Sequence, residues 1–559
     1  MVQAKFIRSL LAVSLCFSLL LTLLAGTAMA KKKEQSQEKG KIVFIPHDNR
    51  PISDVETADT IRQLGYEVIV PPDELLGSNS NLGDSDKLWQ WLEDNTTLPH
   101  KPDKKPPYKP LPGIKAVVMS GDAMIYGSLV GSRKHHIPQK NLMSRVDRFK
   151  AFKQEHPKVP IYVFSSIMRT PRTGEASGSE EPSYYFSYGT DIFRYTSLLD
   201  KQEIEPLTKR EQKELDFLTE LIPQEAISDW MSRRKKNLAV NKAMIDLARE
   251  GSFSYFCLGR DDNAPYSQTH RESRWLNEYA EGLGKTRFNN MAGIDEFGML
   301  LLTRAVNDLE KKMPFVYVRY NMGQGPTVVP SYSDEAIDKT IRSHVIMAGG
   351  MYVTSPARAD LVLLVNTNPN GTTYEANDID NTEKADFSDR YFVNMVSEEL
   401  SSGRAVAIAD IAYANGADNA LMGLLRDKNF LFRIQAYSGW NTPTNSTGFV
   451  LGQGMLASRM NEKSRQGLLL TRYLDDWGYQ ANVRQNLANA LGNFPGKGNG
   501  GALNEKRPAV ESSATLRLQT FAQYNIPALW DFKHIKVTMP WNRLFECYPR
   551  IHLLSIHFS

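Results

Sequence analysis

Two adjacent carboxylates, Asp261 and Asp262, follow the apolar stretch Tyr255–Gly259 and the single cation Arg260. Charged side chains are rarely fully buried without partners, so a pair of them at the end of a buried strand suggests a task beyond packing. Neighbouring side chains of an extended backbone point to opposite sides. One aspartate can therefore orient a substrate while the other delivers a proton. We predict that Asp261 and Asp262 are a catalytic acid/base pair.

Cleavage of a glycosidic bond uses two carboxylic groups in different protonation states. In the substrate-assisted form, the 2-acetamido group of the sugar replaces the protein nucleophile, one carboxylate orients that amide, and its neighbour is the acid/base. The Asp261-Asp262 pair is similar to the pair in retaining N-acetylglucosaminidases of this kind. The sequence thus favours a glycoside hydrolase that acts on amino-sugar (N-acetylhexosaminide) substrates, possible sources being cell-wall polymers or their fragments.

Other polar and aromatic residues follow predicted strands, at the edge where parallel α/β folds bind ligands. Flat aromatic rings would stack on a pyranose, and amides would bind its hydroxyl groups. Asp295 and Glu296 are reserve candidates for the acid, although N-capping of the helix that they precede explains at least one of them equally well. The predicted substrate-binding residues are Asp48, Arg50, Asp122, Arg169, Arg260, Tyr437, Trp440 and Asn441.

Two other functions stay open. A metal-dependent hydrolase would take oxygen ligands for a hard cation from its aspartates. The candidate ligands are Asp48, Asp122, Asp261, Asp262 and Asp410. Histidines with ligand spacing are lacking and arginines are interleaved, so we predict no metal and no cofactor. A non-catalytic carbohydrate-binding protein of the cell envelope would use the same aromatic and amide residues.

Short apolar runs alternate with amphipathic helical stretches from Lys41 onwards. This alternation is typical of a parallel sheet that is covered on both faces. About eight such units favour a (β/α)8-barrel-like sheet, with a doubly wound open α/β sheet, in one piece or split in two, as the alternative. The predicted strands are Ile42–Pro46, Val68–Pro71, Ala116–Met119, Ile161–Ser165, Tyr255–Leu258, Phe288–Ala292, Phe315–Arg319, Leu361–Val365, Ala405–Ala409 and Phe432–Ala436.

The N-terminus has the features of a secretory signal peptide: a basic start, the apolar run Leu10–Leu24 and the small-residue site Ala28–Ala30. The predicted organisation is a signal peptide at 1–30, a disordered tether at 31–40, an α/β catalytic-type body at 41–460, and a helical segment, Gly-rich link and small β-rich cap at 461–559. Thr173–Pro206 is predicted to be an irregular insertion.

We therefore expect a secreted or extracytoplasmic protein of the cell envelope, without a stable membrane span after signal cleavage. The formal net charge is +4, and two of the positive charges lie in the signal peptide, which argues against nucleic acid as a partner. The expected partner is a carbohydrate or a cell-wall fragment. Cys257 and Cys547 are the cysteines that remain, too few for a disulfide framework.

Seven stretches together resemble the uncharacterised bacterial family filed as domain of unknown function 4127. They are IPHDNRPIS (45–53), MSGDAMIYGSLVGSR (119–133), YVFSSIMRTPR (162–172), GRDDNAPYS (259–267), AGIDEFGMLLLTRA (292–305), IADIAYANGAD (408–418) and YSGWNTPTNSTG (437–448). Asn49 stands where the family pattern has a second acidic residue, and Ser128 where it has a second glycine. The resemblance implies one secreted or envelope protein of one fold and carries no activity.

Overall fold

In the computed structural model, the apolar runs of the sequence form strands of two separate parallel sheets. The structure describes residues 39–98, 111–174, 180–492, 501–527 and 532–551. The predicted signal peptide lies outside these ranges, as do residues 31–38 of the predicted tether and 496–500 of the Gly-rich link. Within the described ranges, no helix combines the length and apolar character that crossing a bilayer requires.

Fifteen strands are present in the described ranges. In chain order they are β1 (Lys41–Ile45), β2 (Glu67–Ile69), β3 (Ile114–Ser120), β4 (Ile161–Ile167), β5 (Tyr255–Arg260), β6 (Phe288–Ala292), β7 (Phe315–Tyr320), β8 (Met351–Tyr352), β9 (Leu361–Asn366), β10 (Tyr374–Glu375), β11 (Val406–Asp410), β12 (Tyr413–Ala414), β13 (Ala436–Ser438), β14 (Lys536–Thr538) and β15 (Tyr548–Arg550).

The first sheet has the order β2-β1-β3-β4-β5-β6 and the second the order β13-β11-β9-β7-β8, and both are parallel throughout. Neither closes on itself, so the barrel prediction is wrong and the alternative, an open α/β sheet split in two, is what the chain forms. A parallel pair β10-β12 and an antiparallel pair β14-β15 complete the strands.

Helices connect the strands. They are α1 (Val55–Arg62), α2 (Ser85–Thr96), α3 (Gly121–Tyr126), α4 (Leu129–Lys134), α5 (Gln139–Glu155), α6 (Tyr184–Ile204), α7 (Lys209–Leu221), α8 (Gln224–Glu250), α9 (Gln268–Tyr279), α10 (Phe297–Glu310), α11 (Ile337–Met347), α12 (Phe387–Ser401), α13 (Asn419–Asp427), α14 (Pro443–Ala457), α15 (Glu462–Arg472), α16 (Arg484–Ala490) and α17 (Arg507–Asn525). A π-helical segment, Tyr473–Val483, joins α15 to α16.

Alternate residues of each strand enter different apolar cores. In β1, Ile42 and Phe44 belong to a central core, whereas Val43 and Ile45 face an outer one. The second sheet contributes the other side of the central core, and α10, α11 and α14 fill the space between the sheets. The two sheets are therefore layers of one packed body, because they share this core.

Two local predictions were wrong. The last strand of the second sheet lies at Ala436–Ser438 rather than 432–436. Leu431 and Ile434 lie in a turn before it and fill the apolar core on the outer face of the second sheet. The segment predicted to be an irregular insertion contains α6, whose buried Tyr185 and Ile192 pack in a small core of their own.

The C-terminal residues pack on the outer face of the second sheet. The helices α15 to α17 and the β14-β15 pair share an apolar core with alternate residues of β9 and β11. This packing brings the segment before β15 close to the carboxyl ends of the strands, where it contributes to the site described next.

Candidate active site

A cavity of about 500 Å³ lies where the carboxyl ends of strands from both sheets meet. Segments after β1, β3, β4, β5 and β6 line it from the first sheet, and loops after β7 and β13 line it from the second. The separate β10-β12 pair contributes Glu375 and Asn415. Open α/β sheets place ligands at this edge. The charged lining residues are Arg50, Arg133, Arg169, Arg172, Arg484 and Arg543, with Glu180, Asp261, Asp262, Asp295 and Glu375.

Both members of the predicted acid/base pair line the cavity. Asp261 is bound by Arg133, and Oδ2 of Asp262 accepts a hydrogen bond of 2.6 Å from Nη1 of Arg169. Strand alternation was expected to send the two side chains to opposite sides. The backbone of Asp262 is left-handed, with φ at 39°, so the alternation ends there and both carboxyl groups face one space. A non-glycine residue in this region is uncommon and is found at functional sites.

The surroundings of Asp262 and Asp295 shift the pKa values of their carboxyl groups in opposite directions. Burial, together with repulsion from Asp261, raises the pKa of Asp262 to about 7. Burial also opposes ionisation of Asp295, but Arg50 and His47 overcome this effect and hold its pKa well below the usual range. Near neutral pH, the cavity thus contains a carboxylic acid that can give up a proton and a carboxylate that stays ionised.

Asp295, the reserve acid, lies at the base of the cavity in a dense polar network. Arg50 donates to it from Nη1 at 3.0 Å and from Nη2 at 2.6 Å. Asn441 donates a further hydrogen bond to the same carboxylate. His47 completes the set, with Nε2 at 3.2 Å from Oδ1. This network favours the ionised form of Asp295, which is then a fixed negative charge in the cavity.

Glu180 joins three of the cavity arginines. Its carboxylate lies 2.8 Å from Nη1 of Arg133, 3.3 Å from Nη2 of Arg169 and 2.8 Å from Nη1 of Arg543. Burial disfavours its charge, but these arginines hold its pKa well below the usual range. Glu180 therefore links the arginines that bind Asp261 and Asp262 to Arg543 of the C-terminal segment.

Several predicted binding residues support the site without lining the cavity. Asp48 is fully buried and binds Arg50 through both oxygens, so it positions that guanidinium. Asp122 is buried and accepts hydrogen bonds from the backbone N–H and the hydroxyl of Ser166. Arg260 is buried against Asp334, with Nε at 2.8 Å from Oδ2.

The other reserve acid, Glu296, also lies away from the cavity. It is buried in the central core, where one of its oxygens is 3.0 Å from Nε2 of His344. Of the predicted substrate-binding residues, Arg50, Arg169 and Asn441 do line the cavity.

The two aromatic residues predicted to stack on a sugar are core residues. Tyr437 is completely buried and donates a 2.7 Å hydrogen bond to Asp410. Trp440 is 4 % exposed and packs beside Phe545, with ring centroids 6.2 Å apart. The aromatic side chains that line the cavity are Phe545 and Tyr332. The ring surface that a ligand can reach is therefore supplied by Phe545 and Tyr332 and not by Tyr437 and Trp440.

Two of the residues missed at the site, Tyr332 and Asn415, share a left-handed backbone with the predicted residues Asp262 and Asn441. Of the eight non-glycine residues with positive φ in the described ranges, four line the cavity. These are Asp262, Tyr332, Asn415 and Asn441. The Asn-Gly step at Asn415 is a turn signal that was available in the sequence. Arg484, Arg543 and Phe545 have no such signal, because tertiary packing alone brings them to the strand ends.

The five aspartates considered as metal ligands do not form one group in the described residues. Asp410 belongs to the second sheet, where Asn366, Tyr437 and the backbone of Asp418 bind its oxygens. Across the part of the chain that the structure describes, no three His, Cys, Asp or Glu side chains form a group that could hold a metal ion.

The sequence matches the model of a protein family over residues 42–549, a range that contains every residue lining the cavity. The family is described as "Protein of unknown function (DUF4127)". The chain belongs to this family. No curated protein matches it.

Asn49 and Ser128, at which this DUF4127 chain departs from the family pattern, have structural partners. The side-chain oxygen of Asn49 accepts a 2.8 Å hydrogen bond from Nε1 of Trp541, in the segment before β15. A carboxylate would accept the same bond. Ser128 caps α4 through a hydrogen bond from the N–H of Gly131 and donates to the carbonyl of Leu82.

Proposed function

We propose that the protein is a glycoside hydrolase that acts on N-acetylhexosaminides, with Asp262 as the general acid/base. The observation that carries this proposal is the adjacent pair Asp261 and Asp262 in one cavity, each paired with its own arginine, where burial raises the pKa of Asp262. Hydrolysis of a glycosidic bond needs this separation of protonation states. We further propose that the mature protein works outside the cytoplasm, after removal of residues 1–30.

In the proposed mechanism, Asp261 accepts the N–H of the 2-acetamido group and directs its carbonyl oxygen at the anomeric carbon. The bond to the leaving oxygen breaks as the new C–O bond forms, and the Asp262 carboxyl gives its proton to the leaving oxygen. Water then adds to the anomeric carbon and the intramolecular bond opens. The proton that this water loses returns to Asp262, so the enzyme ends as it began.

The arginines have separate tasks in this mechanism. Arg133 holds Asp261 and Arg169 holds Asp262, so each carboxyl group is fixed by its own guanidinium. Such fixed positions lower the cost of orienting the reacting groups. The ionised Asp295 supplies a negative charge that would favour the developing positive charge of the sugar ring.

The experiment is hydrolysis of aryl N-acetylhexosaminides and aryl hexosides by residues 31–559, with and without EDTA. Asp262→Asn should lower kcat by about 10²- to 10⁴-fold, the usual contribution of general acid/base catalysis. Asp246→Asn is the matched control, because Asp246 also pairs with an arginine but lies on the surface of α8, outside the cavity.

The expected result is turnover of N-acetyl substrates that withstands EDTA and is lost in Asp262→Asn alone. Turnover that EDTA abolishes would instead identify a metal-dependent hydrolase. An absence of turnover together with retained binding of wall fragments would identify a carbohydrate-binding protein. Either result would overturn the proposal.

A further inference from the structure

Arg484 is the one buried arginine of the cavity that lacks an ion-pair partner among the described residues. It is 2 % exposed, and its Nε has no hydrogen-bond partner there. A buried charge without a partner is costly, and proteins pair such groups or reserve them for a ligand. Arg484 lines the cavity directly, so its free N–H groups are accessible to a bound molecule.

The other buried arginines of the cavity all have partners. Arg50 binds Asp48 and Asp295, and Arg133 binds Glu180 and Asp261. The corresponding partners are Glu180, Glu181 and Asp262 for Arg169, and Glu180 and Glu546 for Arg543. The sixth cavity arginine, Arg172, is exposed. Arg484 therefore differs from the other buried arginines of the cavity, because its guanidinium has no ion pair among the described residues and is available to a ligand.

The surroundings of Arg484 are suited to a planar anion. Its guanidinium lies over the ring of Phe545, 5.2 Å from the centroid, which covers one face. A stacked guanidinium keeps its in-plane N–H groups available for a bidentate contact with a carboxylate. Glu375, Asp475 and Glu546 attract Arg484 electrostatically, but none of them forms an ion pair with it. Glu375, which also lines the cavity, is occupied: Tyr332 donates to one oxygen at 2.9 Å and Asn415 to the other at 2.8 Å.

We propose that Arg484 binds a carboxylate group of the ligand, and that the substrates are therefore acidic sugars. The described residues that line the cavity include six arginines and five carboxyl groups, a formal excess of one positive charge. This balance suits a monoanion such as a carboxylate better than a phosphate dianion. The proposal rests on the proposed function for its sugar, since the cavity that holds Arg484 also holds Asp261 and Asp262.

The test is calorimetric binding to residues 31–559 of a 2-acetamido uronic acid, its primary amide and the corresponding 2-acetamido sugar 6-phosphate. The amide has almost the shape of the acid but lacks its charge. We expect the acid to bind about 10- to 100-fold more tightly than the amide, as one charge-assisted bidentate contact provides. Equal binding of acid and amide, undetectable binding of both, or a preference for the phosphate would overturn the proposal.

Arg484→Gln should remove the preference for the acid. Arg433→Gln is the matched control, because Arg433 also lies 5.2 Å from a ring centroid, that of Phe430, but is exposed and outside the cavity. The control should keep the preference. If Arg484→Gln still prefers the acid to the amide, another residue binds the carboxylate and the proposal is overturned.

Thermal unfolding separates a ligand-binding role of Arg484 from a structural one. Removal of an unpaired buried charge should leave the melting temperature of Arg484→Gln equal to that of the wild type or higher. The acid should raise the melting temperature of the wild type but not that of the variant. A lower melting temperature with an unchanged response to the acid would make Arg484 a structural residue.

These measurements remain informative whether or not the protein hydrolyses glycosides. Arg484-dependent binding of the acid without turnover of any substrate would keep the anion site and reject the hydrolase. Turnover of N-acetylhexosaminides without preference for the acid would keep the hydrolase and reject the anion site.

Discussion

Nη1 of Arg169 lies 2.6 Å from Oδ2 of Asp262, a residue whose pKa is nevertheless raised to about 7 by burial and by the charge of Asp261. An arginine this close ordinarily lowers the pKa of a carboxyl group. Here burial and the adjacent carboxylate prevail. The protonation of Asp262 thus depends on its burial and on two neighbours, Asp261 and Arg169, whose effects can be separated by substitution.

Removal of the Asp261 charge should move the alkaline limb of activity. The acid form of Asp262 is lost as the pH rises through about 7, so activity should fall above that value. In Asp261→Asn the repulsion disappears, the pKa of Asp262 falls, and the limb should shift toward lower pH. The measurement is kcat/KM against pH for both proteins. An unmoved limb would mean that another group delivers the proton.

Thermal stability should be greatest at mildly acidic pH. Burial raises the pKa of Asp122 to about 7 and that of Asp476 to about 8. Between pH 4 and 8 these groups bind more protons in the folded chain than in the unfolded chain, so stability falls as the pH rises. Arg260 and Lys339 outweigh burial at Glu335 and lower its pKa to about 2, a contribution that is lost only as the pH falls below about 4.

We therefore expect a higher melting temperature at pH 5 than at pH 8. Asp122→Asn should flatten this dependence, because the substituted side chain no longer titrates. A melting temperature that rises steadily from pH 5 to pH 8 would contradict the assignment of neutral buried carboxyl groups.

Glu180→Gln should destabilise the fold. The substitution removes the carboxylate that pairs with Arg133, Arg169 and Arg543 and leaves three cations facing one another. Loss of one partner from a largely buried network costs about 3 kcal/mol. Denaturant unfolding measures the change. The matched control is Glu398→Gln, which breaks an exposed pair with Arg319 and should cost less than about 1 kcal/mol.

Tyr437→Phe should lower stability, whereas Tyr332→Phe should raise KM. Tyr437 is buried and binds Asp410, so loss of its hydroxyl group should cost about 1–3 kcal/mol of stability and leave KM unchanged. Tyr332 lines the cavity and its hydroxyl group binds Glu375, so loss of that hydroxyl group should raise KM with little change in stability. Unfolding and steady-state kinetics on both variants test this contrast. A raised KM in Tyr437→Phe would place that residue in contact with substrate after all.

Much of the fold follows from local sequence. Runs such as Ile161–Phe164 and Leu361–Val365 are apolar or aromatic at every position, as is typical of a strand buried on both faces. The polar residues directly after these runs pointed to the carboxyl ends of the strands, where the cavity lies. Asp261, Asp262, Arg50, Arg169, Asn441 and the reserve acid Asp295 were found in this way, because their positions depend on the end of a nearby strand.

Tertiary structure alone decided which strands pair and which side chains reach the cavity. The repeat of strand and helix is the same in a barrel and in two open sheets, since pairing depends on packing between distant segments. Trp440 and Tyr437 have the residue types of a sugar platform, but the core buries both. Arg484 comes to the cavity because the C-terminal helices pack on the second sheet, and a local pattern cannot encode that long-range contact.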